Sequence, residues 1–349
     1  MIASRKLVET ALGEVKKKFV KVVCSKLPFD GPEFDLVQYR TRNLFDNTVI
    51  GGKYSRASLC VDATRALQPH LRDDTEELRA VVEAATTLEI IQSFYLIADD
   101  IMDQSETRRG KVCWYKRDGV GLSAINDAFI MDSCVEDILR LCLPGHVNID
   151  RLCEAYRKSK QKTLIGQLLD TSTAFSVESF TWERYELLVE NKTSHYSVYH
   201  PLQMSLLMSD VLAFHGAVKK SAYQIGFLFQ SQDDFLDVYG DPQVTGKIGT
   251  DIQDGKCTWL AVRALQKMQA AQDEAGFKRF KEIFGKSDPE KVKEVKEIYE
   301  KLKLREEFRR FETHFAGEIK KNINEIPDVI APLKPVLEGF VTKMVNRKA

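Results

Sequence analysis

Apolar residues in this chain recur almost everywhere at the spacing of a helix and almost nowhere with the alternation of a strand. That feature restricts the fold more than any other. The run Leu78, Val81, Val82, Ala85, Leu88, continuing through Glu89 to Gln92, is representative. Residues three and four apart lie on one helical face, so the segment carries a stripe along its length. The same periodicity predicts helices over about 3–20, 33–46, 54–68, 74–104, 122–141, 148–173, 180–208, 217–239, 252–272, 288–321 and 328–346. The expected fold class is all-α. Turn chemistry is strongest at Pro28 to Pro32, Gly51–Gly52, Gly119 to Gly121, Pro144–Gly145 and Asp241 to Gly249. None of these breaks has the length of a domain linker, so residues 1–349 read as a single helical domain. The charged stretch from Lys286 to Lys321 reads as the solvated face of outer helices.

Composition removes several function classes. The 51 basic and 51 acidic side chains cancel, which argues against a broad grip on nucleic acid or an anionic membrane. Phosphate binding, if present, is local. Cysteines 24, 60, 113, 134, 142, 153 and 257 are odd in number, scattered and without a C-x-x-C pair, so they read as reduced thiols rather than a disulfide framework or zinc site. No uninterrupted apolar stretch reaches the roughly 18 residues of a membrane span. The N-terminus lacks a secretory pattern. Met1 to Val20 is amphipathic and basic, but Glu9 and Glu14 are unusual for a mitochondrial presequence, so the cytoplasm is expected ahead of mitochondrion or peroxisome.

One long-range echo carries chemistry: Asp99, Asp100 and Asp103, and again Asp233, Asp234 and Asp237, form the pattern D-D-x-x-D. On a helix the first and last aspartates of each copy lie one turn apart on one face. Like charges at that spacing repel, and both copies follow apolar runs (Phe94 to Ala98, Ile225 to Phe229), so a cation is the natural remedy. One copy alone reads as easily as a solvated acidic turn, whereas two copies on apolar helices do not. The all-oxygen ligand set selects a hard ion, and Mg²⁺ typically binds through one or two carboxylates plus substrate phosphates. A diphosphate held between two aspartate clusters is therefore expected.

Basic groups stand at matching places. Gly51, Gly52 and Lys53 precede a helix carrying Arg56, so backbone amides, a helix N-terminus and two cations are available to an anion. Arg108 and Arg109 follow the first motif, and paired guanidiniums suit bidentate phosphate contacts. Lys247 lies in the Gly-rich segment after the second motif, with Lys256 following Asp251 and Asp254. Taken singly, each of these is ordinary surface; together they imply two anionic substrates, one held through metal and one by basic side chains directly.

These residues fall in segments that resemble the farnesyl diphosphate synthases of the trans-prenyltransferase family over nearly the whole chain. The segments are GGKYSR at 51–56, FYLIADDIMDQSETRRG at 94–110, KT at 192–193 and FQSQDDFLDVYGDPQVTGKIGTDIQDGKC at 229–257. The resemblance implies about ten helices around a central cavity, a homodimer, and the two aspartate motifs facing each other across that cavity. It implies that Asp99, Asp103 and Asp233 are the principal ligands of three Mg²⁺ ions, with Asp100, Asp234 and Asp237 in support. Arg108, Lys192 and Lys247 would then contact the allylic diphosphate, dimethylallyl or geranyl, while Lys53, Arg56 and Arg109 hold isopentenyl diphosphate. Gln92, Thr193, Tyr196, Phe229 and Gln230 would line the reacting centre, and Lys256 would support the second motif. Metals and cations stabilise the departing diphosphate, the allylic C–O bond ionises, and the isopentenyl double bond attacks the cation. In the family the released diphosphate removes the final proton, so no conventional base is needed and the histidines, including His195 and His200, read as structural.

Product length has a physical handle. With about 5.4 Å of rise per turn, Tyr95 lies one turn before Asp99 and Phe94 slightly deeper, where a chain anchored at Asp99 grows. Two bulky aromatics there form a floor, a pattern that in the family goes with farnesyl product. Ser55 and Ala57 depart from the family's usual Asn and Gly, and the tail with Lys343, Arg347 and Lys348 is less densely basic than the family's. The rival readings are a geranyl or geranylgeranyl diphosphate synthase, a terpene synthase descended from the family, and a silent isoprenoid-binding partner subunit. The intact Lys53, Arg56 and Arg109 disfavour the terpene synthase, and six intact motif aspartates disfavour the silent subunit.

Overall fold

The computed structural model describes residues 2–28, 31–72, 75–241 and 249–345, and they are overwhelmingly α-helical. The described residues divide into two compact units, residues 1–157 with 200–215, and residues 158–199 with 216–349.

The first unit contains α1 (Ile2–Cys24), α2 (Pro32–Thr48), α3 (Ser55–Leu67), α4 (Glu76–Met102), α5 (Ala124–Cys142), the start of α6 (Ile149–Thr173) and α8 (His200–Met208). Helix α4 is its axis, packed against α1, α3 and α5. It starts where Thr75 accepts the Leu78 N–H through its hydroxyl at 3.2 Å, with Glu76 and Glu77 at the positive end of the helix dipole. Its apolar stripe, including Leu78, Val82, Leu88 and Ile91, is buried. Each such side chain contributes about 1.5–3 kcal/mol of transfer free energy. Among the described residues α4 is the one helix long and apolar enough to cross a membrane, but 78% of that window is buried within the protein, as befits a core helix.

The second unit contains the rest of α6, then α7 (Trp182–Val189), a π-helix (Glu190–Tyr199) and α9 (His215–Tyr239). It continues with α10 (Trp259–Ala270), α11 (Glu274–Ile283), α12 (Pro289–Lys301), α13 (Leu304–Asn324) and α14 (Leu333–Val345). Its core is aromatic: Phe235 stacks on Phe308 at 4.4 Å, and Trp259 meets Phe308 edge-on at 5.0 Å.

The all-α expectation holds, with local corrections. The helix expected over 180–208 is interrupted by the π-helix, whose wider turn the apolar pattern does not reveal. The one expected over 288–321 is two helices, broken at Lys303, which adopts a left-handed φ of 56°. The segment expected to begin at 252 turns through residues 251–255 and becomes helical only after Thr258 caps it by accepting the Ala261 N–H. Helix α11 escaped the sequence reading, although Asp273 caps it through the Gly276 N–H at 2.8 Å and buries Phe280 and Ile283 on its inner face.

Candidate active site

In the first unit, α4 presents two faces to two tasks. Gln92, Tyr95, Asp99 and Asp103 follow one another by three or four residues, while Ser93, Ile97 and Asp100 follow one another on the adjacent face. Asp99 and Asp103 are half-buried; Asp100 is only 4% exposed. Arg108 meets Asp100 through Nε at 2.9 Å and Nη2 at 2.5 Å, and reaches Asp99 at 3.5 Å. Burial still raises the Asp100 pKa beyond what Arg108 offsets.

The neighbouring arginines diverge because of the turn between them. Thr107–Arg108 and Lys111–Val112 form a minimal antiparallel hairpin with Arg108 opposite Lys111. Its two-residue turn, Arg109 at φ 55° and Gly110 at φ 72°, has the paired left-handed conformations of a type I′ turn. Arg108 thus points to the aspartates, while Arg109 donates to the Thr48 carbonyl at 2.9 Å and the Val49 carbonyl at 3.4 Å, at the negative end of α2. The family resemblance gives the two arginines different diphosphates, and the structure gives each its own protein partner.

The G-G-K loop is shaped around Arg109. Gly51 takes φ 97°, and its N–H donates to the Tyr54 hydroxyl at 2.7 Å. A β-carbon on Gly52 would lie 3.0 Å from Arg109 Nη2, so the second glycine makes room for the guanidinium. Lys53 is exposed and Arg56 half-buried on the first turn of α3. Beneath them sits Glu89, 3% exposed, accepting the Ala57 N–H at 3.3 Å. Burial raises its pKa, and Arg56 and Arg109 act against that rise. Glu89 was not among the expected site residues, although a carboxylate inside the apolar stripe of α4 is the signal that locates it. Ala57 is fully buried and its methyl joins the core. Phe94 is buried and Tyr95 half-buried, with ring centroids 5.0 Å apart.

In the second unit the pattern repeats with different partners. Asp233 and Asp237 are half-buried, while Asp234 is 3% exposed and fully engaged. Its Oδ2 accepts the Tyr185 hydroxyl at 2.6 Å and the Trp259 N–H at 2.9 Å, and its Oδ1 accepts Gln230 Nε2 at 2.8 Å. Burial outweighs these donors and pushes the Asp234 pKa up to about 6. Asp237 accepts the Thr250 and Asp251 N–H groups, tying the returning chain to α9.

The π-helix carries Lys192 and Tyr196 on its half-exposed side and buries Thr193. The Thr193 hydroxyl donates to Gln230 Oε1 at 2.6 Å, and Gln230 in turn donates to Asp234, giving a relay of neutral groups. Phe229 is half-buried beside Gln230 on α9. Lys192 and the buried Lys256 both bond Asp170 Oδ2, at 2.5 Å and 3.0 Å. Burial alone would raise the Asp170 pKa, but the two ammoniums reverse that and lower it. Asp170 is the second residue that sequence reasoning missed, since no motif marks it. Lys247, Arg347 and Lys348 lie outside the described residues.

In both motifs the second aspartate is therefore turned inward and satisfied by protein donors, leaving the first and last on the more exposed side. Among the described residues no three acidic, His or Cys side chains converge as a self-sufficient cage. Carboxylates without imidazole or thiolate suit Mg²⁺, which takes its remaining ligands from water and phosphate oxygens.

A family model described as polyprenyl synthetase matches residues 38–302, which is most of the chain and runs through both motifs. The chain belongs to the polyprenyl synthetase family. It is 39% identical over 324 residues to the human farnesyl pyrophosphate synthase, covering 91% of this chain and 76% of that protein. It is 37% identical over 321 residues to the farnesyl pyrophosphate synthase of Schizosaccharomyces pombe, covering 90% of each. In structure it is similar to a T. brucei farnesyl diphosphate synthase complexed with risedronate, with a TM-score of 0.88, 30% identity and coverage of 99% of this chain and 100% of that one.

Proposed function

We propose that this polyprenyl synthetase is a Mg²⁺-dependent prenyltransferase that condenses isopentenyl diphosphate with dimethylallyl and then geranyl diphosphate, giving farnesyl diphosphate. The observation that carries the reading is the matching division of labour in the two D-D-x-x-D motifs. Each has its inner aspartate buried and bonded by protein donors, and its outer aspartates one turn apart on the more exposed side. Full-length likeness to farnesyl pyrophosphate synthases supports the substrate class and product.

In this reading Asp99, Asp103, Asp233 and Asp237 hold Mg²⁺, three ions in all, against the allylic diphosphate. Bound there, Mg²⁺ supplies the positive charge that makes diphosphate a good leaving group. Arg108, Lys192 and Lys247 add fixed cations to the same group, and Asp170 keeps Lys192 and Lys256 oriented. Lys53, Arg56 and Arg109 bind isopentenyl diphosphate with Gln92 nearby, and Glu89 restrains the two arginines from below. Thr193, Tyr196, Phe229 and Gln230 offer oriented oxygens and aromatic faces to the allylic cation without a base strong enough to quench it. Phe94 and Tyr95 close the chain-growth path.

Residues 1–349 act as one functional domain in this proposal, and the family match across both units supports that. A homodimer is supported by apolar side chains left exposed on α6, Leu164, Ile165 and Leu168, and on α5, Ile125 and Phe129. Seven buried, unpaired cysteines support a reducing compartment, the cytoplasm.

The test is to incubate the protein with Mg²⁺, labelled isopentenyl diphosphate and either dimethylallyl or geranyl diphosphate, and to resolve products by chain length. A dominant fifteen-carbon product is expected, and Phe94→Ala with Tyr95→Ala lengthens it. Longer products from the parent would discard the aromatic floor; no elongation with intact diphosphate binding would favour a terpene synthase or a silent subunit.

A further inference from the structure

The π-helix that carries Lys192 and Thr193 touches its two neighbours at glycines. On α6, a β-carbon at Gly166 would lie 2.5 Å from both the Asn191 carbonyl carbon and Lys192 Cα, and closer still to Lys192 N. On α9, a β-carbon at Gly226 would lie 2.5 Å from Ser194 Cβ and 2.6 Å from its Oγ, with Ser194 Cα nearer. Real β-carbons do not approach backbone this way, and backbone has no rotamer by which to yield.

Each glycine has a polar residue four positions later, on the same face of its helix. Gly166 is followed by Asp170, which receives Lys192 Nζ. Gly226 is followed by Gln230, which receives the Thr193 hydroxyl. Each flanking helix thus offers a surface without a side chain against the π-helix backbone and, one turn on, an acceptor for the side chain beside it.

We propose that Gly166 and Gly226 are positioning residues: as two glycine-and-acceptor cradles they fix the depth at which the π-helix presents Lys192 and Thr193 to the allylic substrate. The proposal rests on the reading above, in which those two residues serve the allylic diphosphate and the reacting centre. A π-helix is wide and its hydrogen bonding poor, so its placement is set from outside, by how closely α6 and α9 approach. The two cradles act on different atoms and have separable consequences. A methyl at 166 displaces the Lys192 backbone and spoils the ammonium's alignment with Asp170. A methyl at 226 displaces Ser194 and breaks the Thr193–Gln230 contact.

Steady-state kinetics with each substrate varied in turn test this. Gly166→Ala is expected to raise KM for the allylic diphosphate roughly 10- to 100-fold, the cost of an ångström-scale misplacement. Gly226→Ala is expected to act mainly on kcat, by a similar factor. Both should leave KM for isopentenyl diphosphate unchanged, a split that general loosening of the fold would not produce. Gly317→Ala is the control, because its β-carbon meets nothing within 4 Å; it should leave kinetics unchanged. If Gly226→Ala fails to fold, Thr193→Val tests the same contact from the π-helix side by removing the hydroxyl that Gln230 receives. A lowered kcat with unchanged KM for isopentenyl diphosphate supports the cradle, and parental kcat overturns it. Parental kinetics in both glycine variants would also overturn it. Lys192→Ala separates the two failures: if it too leaves the allylic KM unchanged, the assignment of Lys192 is wrong, and if it raises KM while Gly166→Ala does not, only the cradle is wrong.

Discussion

The two D-D-x-x-D motifs share a sequence and solve the same problem by opposite means. Asp100 and Asp234 are both buried, yet Asp100 is held by a charge, the Arg108 guanidinium, and Asp234 by three neutral donors, Tyr185, the Trp259 amide and Gln230. A charged partner is stronger while present and costlier to lose, because its removal strands a counter-charge. Neutral donors are replaceable one at a time, and the Gln230 amide can turn over to accept where it had donated. The first motif is thus rigidly paired to its hairpin, while the second belongs to a network that reaches Thr193 on the π-helix.

Mutation of each motif tests that contrast. The largest effect is expected where the motifs are alike: Asp99→Ala and Asp233→Ala should each lower kcat by about 10²–10³-fold with the circular dichroism spectrum intact. Near-parental turnover in either would remove that motif from the proposed metal site. The motifs should part at their inner aspartates. Chemical denaturation of Asp100→Asn should reveal a loss of about 2–3 kcal/mol, as Arg108 loses its anion. Asp234→Asn should lose only about 1 kcal/mol, and equal losses would abolish the distinction between charged and neutral support. Tyr185→Phe removes one donor from Asp234 and should cost about 1 kcal/mol while moving the carboxyl pKa further up, which carboxyl-selective NMR would follow.

The smallest effect concerns His195, whose Nδ1 lies 2.7 Å from the Tyr223 hydroxyl. Burial, then Lys162 and Lys219, lowers its pKa to about 4, so like the Asp234 donors it is kept neutral. A histidine whose folded pKa lies below its unfolded value contributes stability that is full above pH 6.5 and lost as the pH falls toward the folded value. Between pH 7.5 and 5, His195→Phe should therefore lose less Tm than the parent. Parallel curves would mean that folding does not lower the His195 pKa.

Much of this was legible beforehand. The helical period located most helices, and it placed Asp99 one turn after Tyr95 on its own helix. It failed where a tertiary neighbour overrides local preference. The π-helix over 190–199 reads as ordinary helix because its distinguishing contacts are made with Gly166 and Gly226, far away in sequence. The adjacency of Arg108 and Arg109 likewise says nothing about the turn, with two left-handed residues, that sends their side chains apart.

Fold class, the two aspartate clusters, their oxygen-only ligand set and the basic residues grouped with them in sequence can all be read without a structure. All of these depend on residue type and on spacing within a single helix. Which aspartate of each motif turns inward, that Glu89 lies beneath Arg56 and Arg109, and that Asp170 gathers Lys192 and Lys256 emerge from long-range packing. The reason is physical. A buried charge is tolerated only beside its partner, and that partner arrives from another helix whose approach no local pattern records.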